Sequence, residues 1–99
     1  MEIRKEQNGD ELIIYLDGRL DTTTSPKLEQ ELKDSLDDNT KKLVIDLEKL
    51  EYMSSAGLRV LLQAQKQMNK QGEMIVRSVN ETIKDIFEVT GFSDILTVE

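Results

Sequence analysis

The sequence predicts one α/β domain: a mixed four- to five-stranded sheet flanked by helices, in the order β-β-α-β-α-β-α with an optional short last strand. Three observations predict it. Residues 11–16 (ELIIYL) and 42–47 (KLVIDL) are short runs of branched residues, apolar on both faces, as interior strands are. Leu28, Leu32 and Leu36 recur at i, i+4 and i+8, the stripe of an amphipathic helix. After an opening hairpin signal, Asn8-Gly9, helical and strand patterns alternate, which demands crossover connections and a parallel portion of sheet.

Each element has its own justification. Residues 3–7 form a first strand, and the turn Asn8-Gly9-Asp10 joins it to the strand at 11–16, which Asp17-Gly18 ends. Residues 19–25 (RLDTTTS) read as a polar loop closing on four consecutive hydroxyls. Ser25-Pro26 supplies an N-cap and first helical position, and the helix runs to about Asp37. The strand at 42–47 follows, with Leu50, Tyr52 and Met53 leading into a turn. The next helix spans about residues 55–70, with a core face of Leu58, Leu61, Leu62, Gln65 and Met68 beside Val60 and Ala64. Gln71-Gly72 ends it. Residues 73–78 (EMIVRS) form a fourth strand. Asn80 caps a third helix with an apolar face of Ile83, Ile86, Phe87 and Val89, Gly91 closes it, and residues 95–98 make the short edge strand. Asn80-Glu81-Thr82 also fits a glycosylation sequon, but capping is the ordinary reading of an Asn at a helix start.

Ninety-nine residues make one domain. The formal charge is 13 − 20 = −7, which argues against nucleic acid, since nothing could neutralise phosphates along a groove. There is no cysteine, so disulfides and thiolate metal sites are excluded. There is no histidine, which removes the commonest general base and transition-metal ligand. No apolar run is long enough for a membrane-spanning helix, and no secretory signal is visible, so a cytoplasmic protein is expected. No glycine-rich phosphate loop exists, because the five glycines are scattered singly.

The chemistry concentrates at Ser54-Ser55, a pair of hydroxyls between a strand and a helix N-terminus. The plainest role is a helix cap. A nucleophilic serine needs a base, and neither histidine nor a Ser-x-x-Lys spacing supplies one. A phosphate is a third option: the free N–H groups and dipole at a helix start favour an anion there. It would add about −1.5 to −2 charge to a small surface, which the fold tolerates and an interface does not. Asp17, Asp21 and Asp46 fall at strand ends and could be imagined around Mg²⁺, but caps and solvated loop ends are the ordinary reading. The loop Asp21-Thr22-Thr23-Thr24 precedes a helix at the same end of the sheet as Ser55, and is expected beside it.

Residues 44–62 (VIDLEKLEYMSSAGLRVLL) resemble the signature of STAS domains, specifically the small anti-sigma factor antagonists. Residues 16–32 (LDGRLDTTTSPKLEQEL) resemble that family's Gly-x-Leu-Asp loop and first helix, and the likeness covers nearly the whole chain. The resemblance implies a non-enzymatic partner-switching protein without cofactors. The unphosphorylated form binds an anti-sigma factor that is also a serine kinase and so frees a sigma factor. Phosphorylation ejects it, and a serine phosphatase restores it. The family motif is Asp-Ser-[Ser/Thr]-Gly-Leu. Here Ser54 stands in the Asp place, Ser55 in the acceptor place and Ala56 in the second hydroxyl place, while Gly57 and Leu58 match. Ser55 is therefore the expected phosphate acceptor. Asp21, Thr22, Thr23, Ser54, Ala56, Gly57, Leu58 and Arg59 are the expected docking residues. The loss of the acidic neighbour leaves an alternative, a constitutive STAS docking subunit of a transport or sensory assembly without phospho-switching.

Overall fold

Strand β1 (Glu2–Asn8) pairs antiparallel with β2 (Glu11–Leu20) from Glu2↔Asp17 to Asn8↔Glu11. The computed structural model describes all 99 residues. The hairpin forms as expected, but Asn8 closes the ladder rather than sitting in the turn. Of the two turn residues Gly9 and Asp10, Gly9 alone takes a positive φ, 62°, which suits a glycine at the first of two loop positions. Helix α1 (Ser25–Ser35), strand β3 (Lys42–Met53), helix α2 (Ser55–Gln71), strand β4 (Glu73–Arg77), helix α3 (Glu81–Thr90) and a 3-10 turn at Phe92–Asp94 follow.

The sheet order is β1-β2-β3-β4, with β2, β3 and β4 mutually parallel. The last strand is reduced to a bridge between Val76 and Val98, flanked by bonds from Val76 N–H to Thr97 O and Ser78 N–H to Glu99 O. The chain steps across the sheet in one direction, so right-handed crossovers place the helices on one face. Burial agrees. Leu12, Ile14, Leu16, Leu43, Ile45, Leu47, Met74 and Val76 join Leu28, Leu32, Leu61, Met68, Ile83 and Phe87 in one core. The other face is uncovered. Ile13 and Val44 are shielded there by polar neighbours: Tyr15 lies under Arg4, whose guanidinium is 4.4 Å from the ring, and Arg77 bonds Asp46 at 2.8 Å. The sheet is thus covered by helices on one side only.

Two strands outrun their expected ends, and this builds the site. β2 continues through Gly18, at φ 111°, to Leu20. β3 continues through Met53, with register shifts between Tyr15 and Asp17 and between Gly18 and Arg19. Tyr15 pairs with Asp46 but Asp17 with Lys49, and Gly18 pairs with Leu50 but Arg19 with Tyr52. β3 carries an extra residue at each step, a bulge. Leu47, Leu50 and Met53 therefore all reach the core, at a spacing of three.

Three smaller expectations change. The core face of α2 forms as read, except that Leu62 is only half-buried. Gly72 is extended, φ 178°, and is needed for contact rather than for a left-handed cap: a Cβ there would run into the Lys41 carbonyl. Val89 is not on the apolar face of α3 but 87% exposed, because two residues past Phe87 is about 200° around a helix. Gly91 (φ 80°) does close α3 in the left-handed conformation, and Asn80 Oδ1 does cap it, accepting Ile83 N–H at 2.9 Å.

Candidate functional site

The site lies where β2 and β3 end side by side. Leu20 pairs with Met53, and the Ser54 N–H donates to the Leu20 carbonyl at 2.8 Å. From that edge the two strands lead into the Asp21–Thr24 turn and into α2, so the two segments flagged from sequence are neighbours. A cavity of about 170 Å³ lies between them, lined by Thr22, Ser25, Pro26, Glu29, Ala56, Arg59, Val60 and Gln63.

The two serines divide their work. Ser54 is the N-cap of α2, with extended backbone (φ −90°, ψ 173°), and its Oγ accepts the Gly57 N–H at 3.4 Å. Its carbonyl accepts the Leu58 N–H at 3.0 Å. Ser55 is the first residue of the helix and is exposed, and its hydroxyl makes no hydrogen bond within the chain. No acidic residue stands in the first turn of α2. The helix start therefore keeps free N–H groups and its partial positive charge for an anion.

Gly57 and Leu58 shape the turn from beneath. Leu58 is 4% exposed, and a Cβ on Gly57 would lie 2.7 Å from Leu20 Cγ and Cδ2 and 3.1 Å from Met53 Cγ. Glycine lets the first turn of α2 sit down on the ends of both strands.

The Asp21 turn is built by its own side chain. Asp21 Oδ1 accepts the N–H groups of Thr23 and Thr24, each at 3.0 Å. The Thr24 hydroxyl accepts the Asp21 N–H at 2.9 Å and donates to the Arg19 carbonyl at 2.7 Å. The Thr24 N–H holds the Asp21 carboxyl below its ordinary range against the desolvation that opposes it, helped by the Thr23 N–H, the Thr24 hydroxyl and the Arg19 charge. The cap expected from Ser25 is corrected here. Ser25 is the first helical residue and is buried, with its Oγ on the Asp21 carbonyl at 2.5 Å, and Thr24 occupies the N-cap position without a side-chain cap bond. The carboxylate of Asp21, four residues before the first helical residue, instead holds the turn that leads into the helix through the Thr23 and Thr24 N–H groups. Thr22 and Thr23 are left exposed at the tip.

Of the expected docking residues, Thr22, Ala56 and Arg59 line one groove, Thr23 is exposed close by, as is the expected acceptor Ser55, and Asp21, Ser54, Gly57 and Leu58 hold the turns. Sequence reading missed Pro26, Glu29 and Gln63 on the groove, although Pro26 and Glu29 are three apart on α1 and Arg59 and Gln63 four apart on α2, the spacing of one helix face. It also missed Arg19, whose guanidinium lies 4.5 Å over the Tyr52 ring next to the site. Asp17, Asp21 and Asp46 do not converge on a metal: Asp46 is bound to Arg77 and Asp21 to its own turn. A larger recess, about 260 Å³, lies on the uncovered sheet face between Arg4, Asp46 and Lys49, and shares no residue with the serine turn.

The fold and site define a small α/β domain with one sheet face bare, presenting an unbonded serine hydroxyl at a helix start beside a threonine-rich turn. The chain belongs to the STAS domain family, whose model matches residues 2–99. It is 38% identical over 88 residues to BtrV of Bordetella bronchiseptica, a candidate anti-sigma factor antagonist, covering 88% of this chain and 76% of that protein. It is 32% identical over 96 residues to the anti-sigma-B factor antagonist of Listeria monocytogenes, covering 96% of this chain and 84% of the other. The unphosphorylated anti-sigma factor antagonist SpoIIAA has the same fold, with a TM-score of 0.84 at 17% identity over 99% of this chain and 88% of that one. No helix is long and apolar enough to cross a membrane.

Proposed function

We propose that the chain is a phospho-switched anti-sigma factor antagonist, a cytoplasmic binding protein with no reaction of its own. Unmodified, it docks on an anti-sigma factor through Thr22, Thr23, Ala56, Arg59 and the exposed face around Ser55, and so releases a sigma factor. The anti-sigma factor, acting as a serine kinase, transfers the γ-phosphoryl of ATP to Ser55 Oγ. The hydroxyl proton leaves to a base of the kinase, and ADP departs. The dianion then stands at the centre of the docking surface and ejects the partner, and a serine phosphatase restores the free hydroxyl. The relatives' names support the partner class.

One observation carries the choice of residue. Ser54 is spent on capping α2, whereas Ser55 is exposed and unbonded one position later. Modifying Ser54 would remove a cap, whereas modifying Ser55 adds charge where the helix start favours it. The absence of histidine and cysteine is consistent with a binding protein that leaves catalysis to its partner.

The test is incubation with the host's anti-sigma factor kinase and ATP, followed by site mapping by mass spectrometry. The expected product carries one phosphate, on Ser55, and Ser55→Ala stays unlabelled. Labelling elsewhere, or equal labelling of Ser55→Ala, overturns the assignment. Tight binding of Ser55→Asp to the same partner would favour constitutive docking instead.

A further inference from the structure

Three of the chain's four arginines are held in place: Arg4 over Tyr15 at 4.4 Å, Arg19 over Tyr52 at 4.5 Å and Arg77 on Asp46 at 2.8 Å. Arg59 is the exception. It is exposed, stands over no ring and takes part in none of the four ion pairs. No carboxylate is available to it along its own helix: the residues three and four away on either side are Ser55, Ala56, Leu62 and Gln63. Across the groove, Glu29 is engaged by Lys33 at 3.4 Å.

Ser55 lies four residues before Arg59 on α2, so their Cβ atoms are about 5–6 Å apart on one helix face. A helix pair with the acid N-terminal to the base is the favoured orientation. A phosphoserine presents three acceptor oxygens, and a guanidinium takes two of them through parallel N–H donors. Resting on the reading of Ser55 as the acceptor, we propose that Arg59 is an intramolecular counter-ion for its phosphate. In the unmodified chain the guanidinium is free to dock on an acidic or carbonyl-rich patch of the partner. In the modified chain it folds back one turn and is captured. The switch then acts twice: the surface gains an anion of about −1.5 to −2, and it loses the cation that had reached across.

The test uses full-length protein with phosphoserine placed at position 55 during translation, so it is independent of any kinase. The ³¹P titration of the phosphate is compared in the otherwise native chain, Arg59→Ala and Arg59→Lys. Capture predicts a second pKa lower in the native chain than in Arg59→Ala by about 0.2–0.4 pH unit, the size of a helical ion pair. Arg59→Lys falls between them, since a point charge replaces the fork. The difference shrinks in ~1 M salt, where the screening length is about 3 Å. Identical titration of the native chain and Arg59→Ala at low salt overturns the capture. The docking half is read separately, from the affinity of the unphosphorylated Arg59→Ala variant for the anti-sigma factor. A several-fold loss supports it, and unchanged affinity overturns it. If the kinase instead labels a residue other than Ser55, the functional reading fails while the titration result stands.

Discussion

Gly57→Ala tests the geometry that seats the serine turn. The added methyl would lie 2.7 Å from Leu20 Cγ and Cδ2 and 3.1 Å from Met53 Cγ. Leu20 cannot swing aside, because it is 0% exposed and its carbonyl is held by the Ser54 N–H at 2.8 Å. Overpacking of this kind costs about 1–3 kcal/mol. Alanine recovers up to ~1 kcal/mol over glycine through helix propensity, and less at the first turn. The net destabilisation is therefore about 1–2 kcal/mol, a fall in Tm of roughly 5–15 °C for a domain of this size. Thermal unfolding of the variant measures it, and a cycle with Leu20→Ala identifies the cause. Leu20→Ala alone costs about 2–5 kcal/mol by leaving a cavity. With Gly57→Ala present, the new methyl enters that space, so the double variant is more stable than the sum of the singles by about 1 kcal/mol. A Gly57→Ala protein at least as stable as wild type, with an additive cycle, refutes the claim that contact rather than backbone freedom dictates glycine here.

The remaining predictions concern the two turns. Ser54→Ala should cost about 0.5–1 kcal/mol in urea unfolding, the low end for a cap because the bond to Gly57 is long at 3.4 Å, and Ser54→Asp should restore it; equal losses in both variants count against the cap. Asp21 has a folded pKa below its unfolded value, so its carboxylate contributes stability that is fully present above about pH 3.9 and is lost as the pH falls through the lower folded value. Asp21→Asn, which keeps an oxygen acceptor but no charge, should therefore be less stable than wild type near neutrality and converge on it in acid, and a gap that stays constant with pH contradicts the assignment.

Legibility followed the regularity of each pattern. The hairpin, the α1 stripe, the core face of α2 and the cap at Asn80 are local and periodic, and all were readable. The ends of β2 and β3 were not. A bulge adds a residue to one strand, and in β3 two of them turn alternation into Leu47, Leu50 and Met53, a spacing of three that hides the strand because it fits a helix face instead. The proximity of the Asp21 and Ser54 turns was expected, because both precede helices at the same end of the sheet. The groove between them was not, because its residues come from two helices whose relative position depends on packing. Ser25 was assigned the cap by residue type, but the Asp21 turn starts the helix one residue earlier and draws the Ser25 hydroxyl onto the Asp21 carbonyl, an arrangement that composition does not reveal.

The departure at residue 54 and the free arginine at 59 act in the same direction. In the family motif an acid precedes the acceptor, and a phosphate added next to it would be repelled by a like charge. Here Ser54 is neutral, and the first turn of α2 holds no acid. Arg59 adds a positive charge one turn along, on the face that Ser55 occupies. The helix start thus opposes a phosphate less than an acidic turn would, and little of the new charge's cost falls on the fold. A modification that leaves its own domain nearly unstrained spends its free energy at the interface, where a desolvated, unpaired anion costs several kcal/mol. By this argument, and on the proposed reading of Ser55 as the acceptor, the substitution of serine for aspartate would strengthen the switch rather than disable it. It also predicts that restoring the acid, Ser54→Asp, would raise the pKa of a phosphate on Ser55 even as it improves the cap.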